Sequence, residues 1–142
     1  MADQDWRTGA YAIDPQGRGN YKYQQEFLKG QEFTIVRYFD CAVSGMLAAD
    51  TYKVITIDAG VLITKALLVQ TVLEGGTCTL DIGDSSSATA YHDDLDMNSA
   101  TGVTALTTQT KYYAAADYIV LDFANNASTA KFYIVLHGIR QV

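Results

Sequence analysis

The strongest constraint on this chain is a series of short apolar segments rich in Val, Ile, Tyr and Phe, each cut off by small or turn-forming residues. Residues 52–58 (YKVITID), 62–73 (LITKALLVQTVL), 77–82 (TCTLDI), 118–123 (YIVLDF) and 130–139 (AKFYIVLHGI) carry the pattern. Gly60, Glu74-Gly75-Gly76 and Asn125-Asn126 punctuate it. β-Branched and aromatic side chains suit a pleated, half-buried surface, so these segments predict strands. Another is expected from Gln31 to Phe39, with Phe33, Ile35 and Phe39 sharing a face with Arg37, opposite Thr34, Val36 and Tyr38. Residues 103–113 (VTALTTQTKYY) predict one more. Residues 40–51 read as a loop carrying a short strand or helical turn. Residues 83–101 read as a polar loop, with one helical turn near Ala90–Met97. The last two strands are expected to form a hairpin across Asn125–Thr129. Seven or eight strands suffice for two sheets packed face to face, so the fold class is all-β, an antiparallel two-sheet β-sandwich.

A length of 142 residues, 49% apolar and 18% charged, fits one globular sandwich domain over residues 33–142. The net charge of −6 argues against nucleic acid and against anionic lipid, both of which need Lys and Arg in excess. No stretch reaches about 18 uninterrupted apolar residues, so no membrane span is expected. The opening residues (MADQDWRTGA) lack the basic start and apolar core of a signal peptide, which predicts synthesis and folding in a cytoplasm. Cys41 and Cys78 are then free thiols, and Cys78, alternating with Leu80 and Ile82, faces the core.

Residues 1–32 differ in character. They hold the only proline (Pro15) and set Trp6, Tyr11, Tyr21 and Tyr23 among Gln, Asn, Arg and Lys, with no sustained periodicity. This predicts an extended N-terminal arm that orders on a partner, because Tyr and Trp give large contact area at low entropic cost. Two strands, 62–73 and 130–139, are apolar on both faces, whereas a monomeric sandwich needs one dry face per strand. The surplus predicts cover by a loop, by the arm or by a sister subunit, and hence a homo-oligomer.

Residues equipped for chemistry are few. Asp81, Asp84, Asp93, Asp94 and Asp96 cluster around His92, and Asp94-x-Asp96-x-Asn98 begins like a calcium loop. Ser99 and Ala105 then stand where the turn glycine and the bidentate glutamate belong, so a solvated loop is expected, the alternative being a structural cation held by Asp81 or Asp84 with the 93–96 group. His92 and His137 have no zinc spacing, no G-x-S-x-G occurs, and Gly17-Arg18-Gly19 is not a phosphate loop. No catalytic, cofactor-binding or metal residue is assigned, and no enzymatic activity is expected.

From residue 48 onward the order of motifs resembles a known type. Asp58-Ala59-Gly60, Val61-Leu62-Ile63-Thr64, a long apolar strand, Gly75-Gly76-Thr77 and Leu80-Asp81-Ile82-Gly83-Asp84 follow one another. Tyr113-Ala114-Ala115-Ala116-Asp117-Tyr118-Ile119 and a closing alternating strand complete it. This resembles the small virion structural proteins of tailed bacteriophages, in particular the head-decoration (cement) proteins built on jelly-roll-like sandwiches. The likeness is one of pattern and covers about residues 47–138. It implies a jelly-roll-like homotrimer on the outer surface of the capsid that clamps neighbouring major capsid subunits, without catalytic residues or cofactors. The arm residues Trp6, Arg7, Tyr11, Arg18, Tyr21 and Tyr23 would then contact the capsid or a neighbouring copy. The alternative is a tail or fibre module that binds carbohydrate, with Tyr91, Tyr112 and Tyr113 as a stacking platform.

Overall fold

The computed structural model describes residues 31–140, and every regular element among them is a strand. In chain order these are β1 (Gln31–Asp40), β2 (Thr51–Ile57), β3 (Val61–Val72), β4 (Thr79–Asp84), β5 (Ser87–Asp96), β6 (Gly102–Ala105), β7 (Lys111–Tyr113), β8 (Asp117–Phe123) and β9 (Lys131–Arg140). Phe33–Ile139 form one compact unit. Sheet one runs β1-β9-β3-β6, with β7 also paired to β3; sheet two runs β2-β8-β4-β5. The chain passes from sheet to sheet at nearly every connection. Counting β6 and β7 as one interrupted strand, this is an eight-stranded jelly roll, and the expected all-β, two-sheet class is observed.

The alternation drives the packing. Ile119, Leu121 and Phe123 of β8 and Phe132, Ile134 and Leu136 of β9 all turn into the core. Phe132 stacks on Phe39 at 5.0 Å and meets Phe123 at 6.4 Å, which joins the two sheets through aromatic contact. On β1, Phe33, Ile35 and Phe39 face inward as their spacing predicts. Two glycines are demanded by close approach. A Cβ on Gly138 would lie 2.7 Å from the Phe33 ring and 2.8 Å from the Leu62 carbonyl oxygen. One on Gly83 would lie 2.1 Å from the Ser87 carbonyl oxygen, beside a register shift between β4 and β5.

Four local expectations are corrected. The polar stretch 83–101 is not a loop with a helical turn at Ala90–Met97; most of it is β5, paired to β4 through the two-residue turn Ser85-Ser86. Its dry face carries Tyr91 and Leu95, while its wet face is so acidic that the whole reads as loop. The last two strands are not a hairpin: β8 lies in sheet two and β9 in sheet one, and residues 124–130 cross the sandwich between them. The strand expected over 103–113 is two short ones. Between them the Gln109 side chain takes the place of a rung, accepting from the Ala66 N–H at 3.1 Å and donating to the Ala66 carbonyl at 2.8 Å. Finally, the inward parity of β3 slips at Thr64–Lys65, both exposed, so that Val61 and Ile63 and then Ala66 and Leu68 face inward. The two-faced apolar pattern of residues 62–73 is partly this bulge.

Candidate assembly surface

With the core residues removed from account, the two outward faces of the sandwich differ sharply. On sheet one, outward positions are Thr34, Val36 and Tyr38 of β1, Tyr133, Val135, His137 and Ile139 of β9, and Leu62, Leu67 and Val69 of β3. Register extends the face, since Val103 lies opposite Val69 and Tyr112 opposite Leu62. Val36 is 54%, Val103 66% and Tyr112 52% exposed, well above what single apolar residues covered by neighbours would show. Tyr38 and Tyr133 rings pack at 4.8 Å, and His137 Nδ1 meets Thr34 Oγ1 at 2.9 Å, so the face is ordered. Its charged side chains are few: exposed Glu32 and Lys65, and Lys131 paired with Asp40 at 3.5 Å.

Sheet two presents the opposite character. Asp81 and Asp122 lie in register across β4 and β8, and Asp96 stands opposite Thr79 on β5. Carboxylates of Asp81, Asp93 and Asp94 converge within 4.8 Å. Asp94 adopts a positive φ of 53°, and its N–H donates to Asp81 Oδ1 at 2.8 Å. The charge of Asp94 foremost, then slight burial and Asp81, raises the Asp93 carboxyl above its ordinary range. Asp93 and Asp94 are exposed, and water satisfies such a group without a bound ion. Lys53, stacked over Tyr118 at 4.5 Å, is the cation among them.

Inside the sandwich two carboxylates are held by donors. Asp84 opposes the ionisation cost of burial with Lys111, Ser86 and Tyr113, which hold its carboxyl down at about 2. Its Oδ1 accepts from the Ser86 N–H at 2.9 Å and the Ser86 hydroxyl at 2.6 Å. Its Oδ2 accepts from Lys111 Nζ and from the Tyr113 hydroxyl at 2.8 Å. With its hydroxyl hydrogen engaged by Asp84, Tyr113 accepts from the Tyr91 hydroxyl at 2.8 Å. Burial, chiefly, pushes the Tyr91 hydroxyl up to about 12 and raises Tyr113 further. Four donors on two oxygens saturate Asp84, and the cluster locks β4 and β5 of sheet two to β7 of sheet one. Glu74, just after β3, does the same for residues 124–130. Its Oε1 accepts from the N–H groups of Ser128, Thr129 and Ala130 at 3.0, 3.0 and 2.9 Å. Burial is the largest single influence on it and raises the carboxyl, but these amides and the Ser128 hydroxyl together outweigh it and hold it below its ordinary range. Cys41 and Cys78 are buried beside it; burial first, then the Glu74 charge, pushes the Cys41 thiol up to about 11 and raises Cys78. Thiols so raised stay protonated and unreactive at neutral pH.

No protein-family model and no curated protein matches the chain. Solved structures do. A chain of the acidic stable capsid structure of Helicobacter pylori bacteriophage KHP30 aligns with a TM-score of 0.61 at 10% identity, over 79% of this chain and 90% of that one. One from the cyanophage Pam1 capsid asymmetric unit aligns at 0.59 and 17% identity, over 99% of both chains. One from the capsid of Ralstonia phage GP4 aligns at 0.58 and 14% identity, over 80% and 86%. Likeness at such identity is likeness of fold: this jelly roll is one also found in phage capsids.

The residues singled out from sequence fare unequally. Trp6, Arg7, Tyr11, Arg18, Tyr21 and Tyr23 lie outside the described residues. Tyr91, Tyr112 and Tyr113 do not form a stacking platform. Tyr91 and Tyr113 are buried with their hydroxyls paired, and only Tyr112 is exposed, because neighbours on a strand face opposite ways. Glu74 and Asp84 were missed as interior anchors. The only signal was local, a lone carboxylate between an apolar strand and Gly75-Gly76, and a serine pair after Asp84.

Proposed function

We propose that this chain is a virion structural protein, a decoration or cement protein that binds the exterior of a phage head and holds neighbouring major capsid subunits together. The observation that carries it is the outward face of sheet one, where Val36, Tyr38, Tyr133, Val103 and Tyr112 make a largely apolar surface while the opposite face is acidic. Ordered apolar surface of this extent on a soluble sandwich is adhesive surface. The acidic face then keeps the decorated particle soluble. The likeness to chains of phage capsid structures supports the setting. In this reading the protein is a homotrimer, and the arm of residues 1–32, with Trp6, Arg7, Tyr11, Arg18, Tyr21 and Tyr23, reaches onto the capsid or a neighbouring copy. The mechanism is mass action. A protein that binds only the assembled shell stabilises it by RT ln(1 + [L]/Kd), about 2.7 kcal/mol per site at a hundredfold excess over Kd. Repetition over the lattice adds avidity.

Co-sedimentation with heads stripped of the protein tests this. The full chain is expected to saturate the heads at micromolar concentration. Val36→Asp with Val103→Asp is expected to weaken binding at least tenfold without loss of fold, since both side chains are solvent-facing. Deleting residues 1–30 is expected to leave a folded sandwich that no longer binds. Binding undiminished by the face substitutions removes the role given to that face, and absence of binding by the intact chain removes the proposal.

A further inference from the structure

Histidine is the side chain type whose charge changes between pH 5 and 8, and one of the two in this chain stands on the outward face of sheet one. His137 lies on β9, the strand between β1 and β3, and points outward with Tyr133, Val135 and Ile139. Its Nδ1 is 2.9 Å from Thr34 Oγ1 on β1, and its carbonyl accepts from Thr64 Oγ1 on β3 at 3.3 Å. The Thr34–His137 and Tyr38–Tyr133 contacts set β1 against β9 so that Val36 stands beside Val135. The half-buried imidazole therefore sits within the apolar surface, with Val36 toward one side and Leu62 and Tyr112 toward the other. A side chain as short as histidine, on an inner strand, cannot reach around a body laid over the sheet. Covering the face covers the ring.

Few charges stand where they could compensate an imidazolium once water has gone. On β1 these are Glu32, two residues from Thr34, and Asp40, which is paired at the far end with Lys131 of β9. Arg37 of the same strand donates to the Val54 carbonyl at 2.6 Å. On β3 the neighbour is Lys65, next to Thr64 and of the same sign as the imidazolium. Lys111 of β7 is engaged by Asp84, and Arg140 ends β9 on the opposite parity. The phenols of Tyr38, Tyr133 and Tyr112 complete the titratable groups of the face. Glu32 and Lys65, both exposed, cancel, so no net negative charge awaits a protonated ring.

In the free chain either form of the ring is accommodated. A threonine hydroxyl donates to an unprotonated Nδ1 or accepts from a protonated one, so the Thr34 contact survives the change. A covered apolar face is less tolerant, because burial disfavours the charged form of a group that has no counter-charge. We propose that His137 makes attachment of this face pH-dependent: the neutral imidazole is carried into the contact, and its protonation releases the chain from the shell. This regulation rests on the capsid function proposed above. Affinity is complete above the titration of the ring and falls as the pH drops through it. Binding that excludes one proton weakens, in the limit, by about tenfold for each pH unit below the pKa of the free side chain.

Co-sedimentation with heads stripped of the protein, at pH 7.5 and pH 5.5, tests this by comparing the full chain with His137→Gln. Glutamine keeps a hydrogen-bonding partner for Thr34 and never acquires charge. Asp84 and Glu74 are held below their ordinary values, so the fold persists at the lower pH. The unaltered chain is expected to bind at least fivefold more weakly at pH 5.5, and His137→Gln to change by less than twofold. Titration of the heads acts on both chains alike, so the difference between them reports His137. His92→Gln should respond as the unaltered chain does, and His137→Leu replaces His137→Gln if the unfolding midpoint of the latter falls. Equal binding of the unaltered chain at both pH values overturns the inference and leaves the capsid function standing. A His137→Gln chain that weakens as much as the unaltered one overturns it too. No binding at pH 7.5 removes the capsid function, and this regulation with it.

Discussion

Glu74 and Asp84 place two carboxylates where water scarcely reaches, and both are held ionised by donors rather than by exposure. Replacing Glu74 by Gln keeps the shape but turns an amide NH2 toward N–H groups that need an acceptor. A loss of about 1–3 kcal/mol is expected in urea unfolding at pH 7. Tyr113→Phe strips one donor from Asp84 and the acceptor from Tyr91, with a loss of similar size, about 1–3 kcal/mol. The pH dependence follows from the direction of the shifts. A carboxyl lowered on folding contributes stability that is complete above its unfolded value and is lost as pH falls through its folded value. For Asp84 that window runs from 3.8 down to about 2, and the fading of the Glu74 contribution begins below 4.5. Unfolding midpoints should therefore hold steady from neutrality to about pH 5 and fall below it, with a shallower acid slope in Asp84→Asn. An unchanged slope in that variant would show that Asp84 titrates alike in both states.

At the scale of elements, sheet one is interrupted between β6 and β7. Gln109 spans the seam, accepting from the Ala66 N–H and donating to the Ala66 carbonyl, which also accepts from the Leu106 N–H at 3.0 Å. Gln109→Ala should cost about 1–2 kcal/mol and leave the Ala66 amide exposed to exchange. Hydrogen exchange at that amide is expected to accelerate selectively, whereas unchanged protection would mean that another acceptor serves it. This seam also marks where the sequence stops being legible. Strands with one dry face and one mixed face, such as β1, β8 and β9, announce themselves by alternation, and Phe33, Ile35 and Phe132 fall where alternation puts them. A strand whose wet face is crowded with aspartates, as β5 is, looks like a loop, because composition swamps periodicity. A bulge such as that at Thr64–Lys65 reverses parity without any sequence mark. Pairing across long separations is likewise silent: neighbouring segments suggest hairpins, but the jelly roll sends β8 and β9 to different sheets. The anchoring roles of Glu74 and Asp84 depend on partners dozens of residues away, and no local pattern carries them.

At the scale of the molecule, the sandwich divides its surface by chemistry: a largely apolar outward face on sheet one and an acidic one on sheet two. Apolar excess was visible in the sequence as strands with too much greasy surface. Its partition was not, because it depends on which strands share a sheet. In the function proposed above, the apolar face of sheet one meets the shell and the acidic face of sheet two meets solvent. Decorated heads should consequently resist heat or denaturant better than bare ones by an amount that rises with free protein concentration. Calorimetry of heads at two protein concentrations checks this; a transition independent of concentration would deny that binding stabilises the shell. The most direct test is the number of copies of this chain in purified virions, by quantitative mass spectrometry against the major capsid protein. A lattice decoration predicts hundreds of copies in fixed ratio to capsid subunits. A handful of copies, or none, contradicts the account.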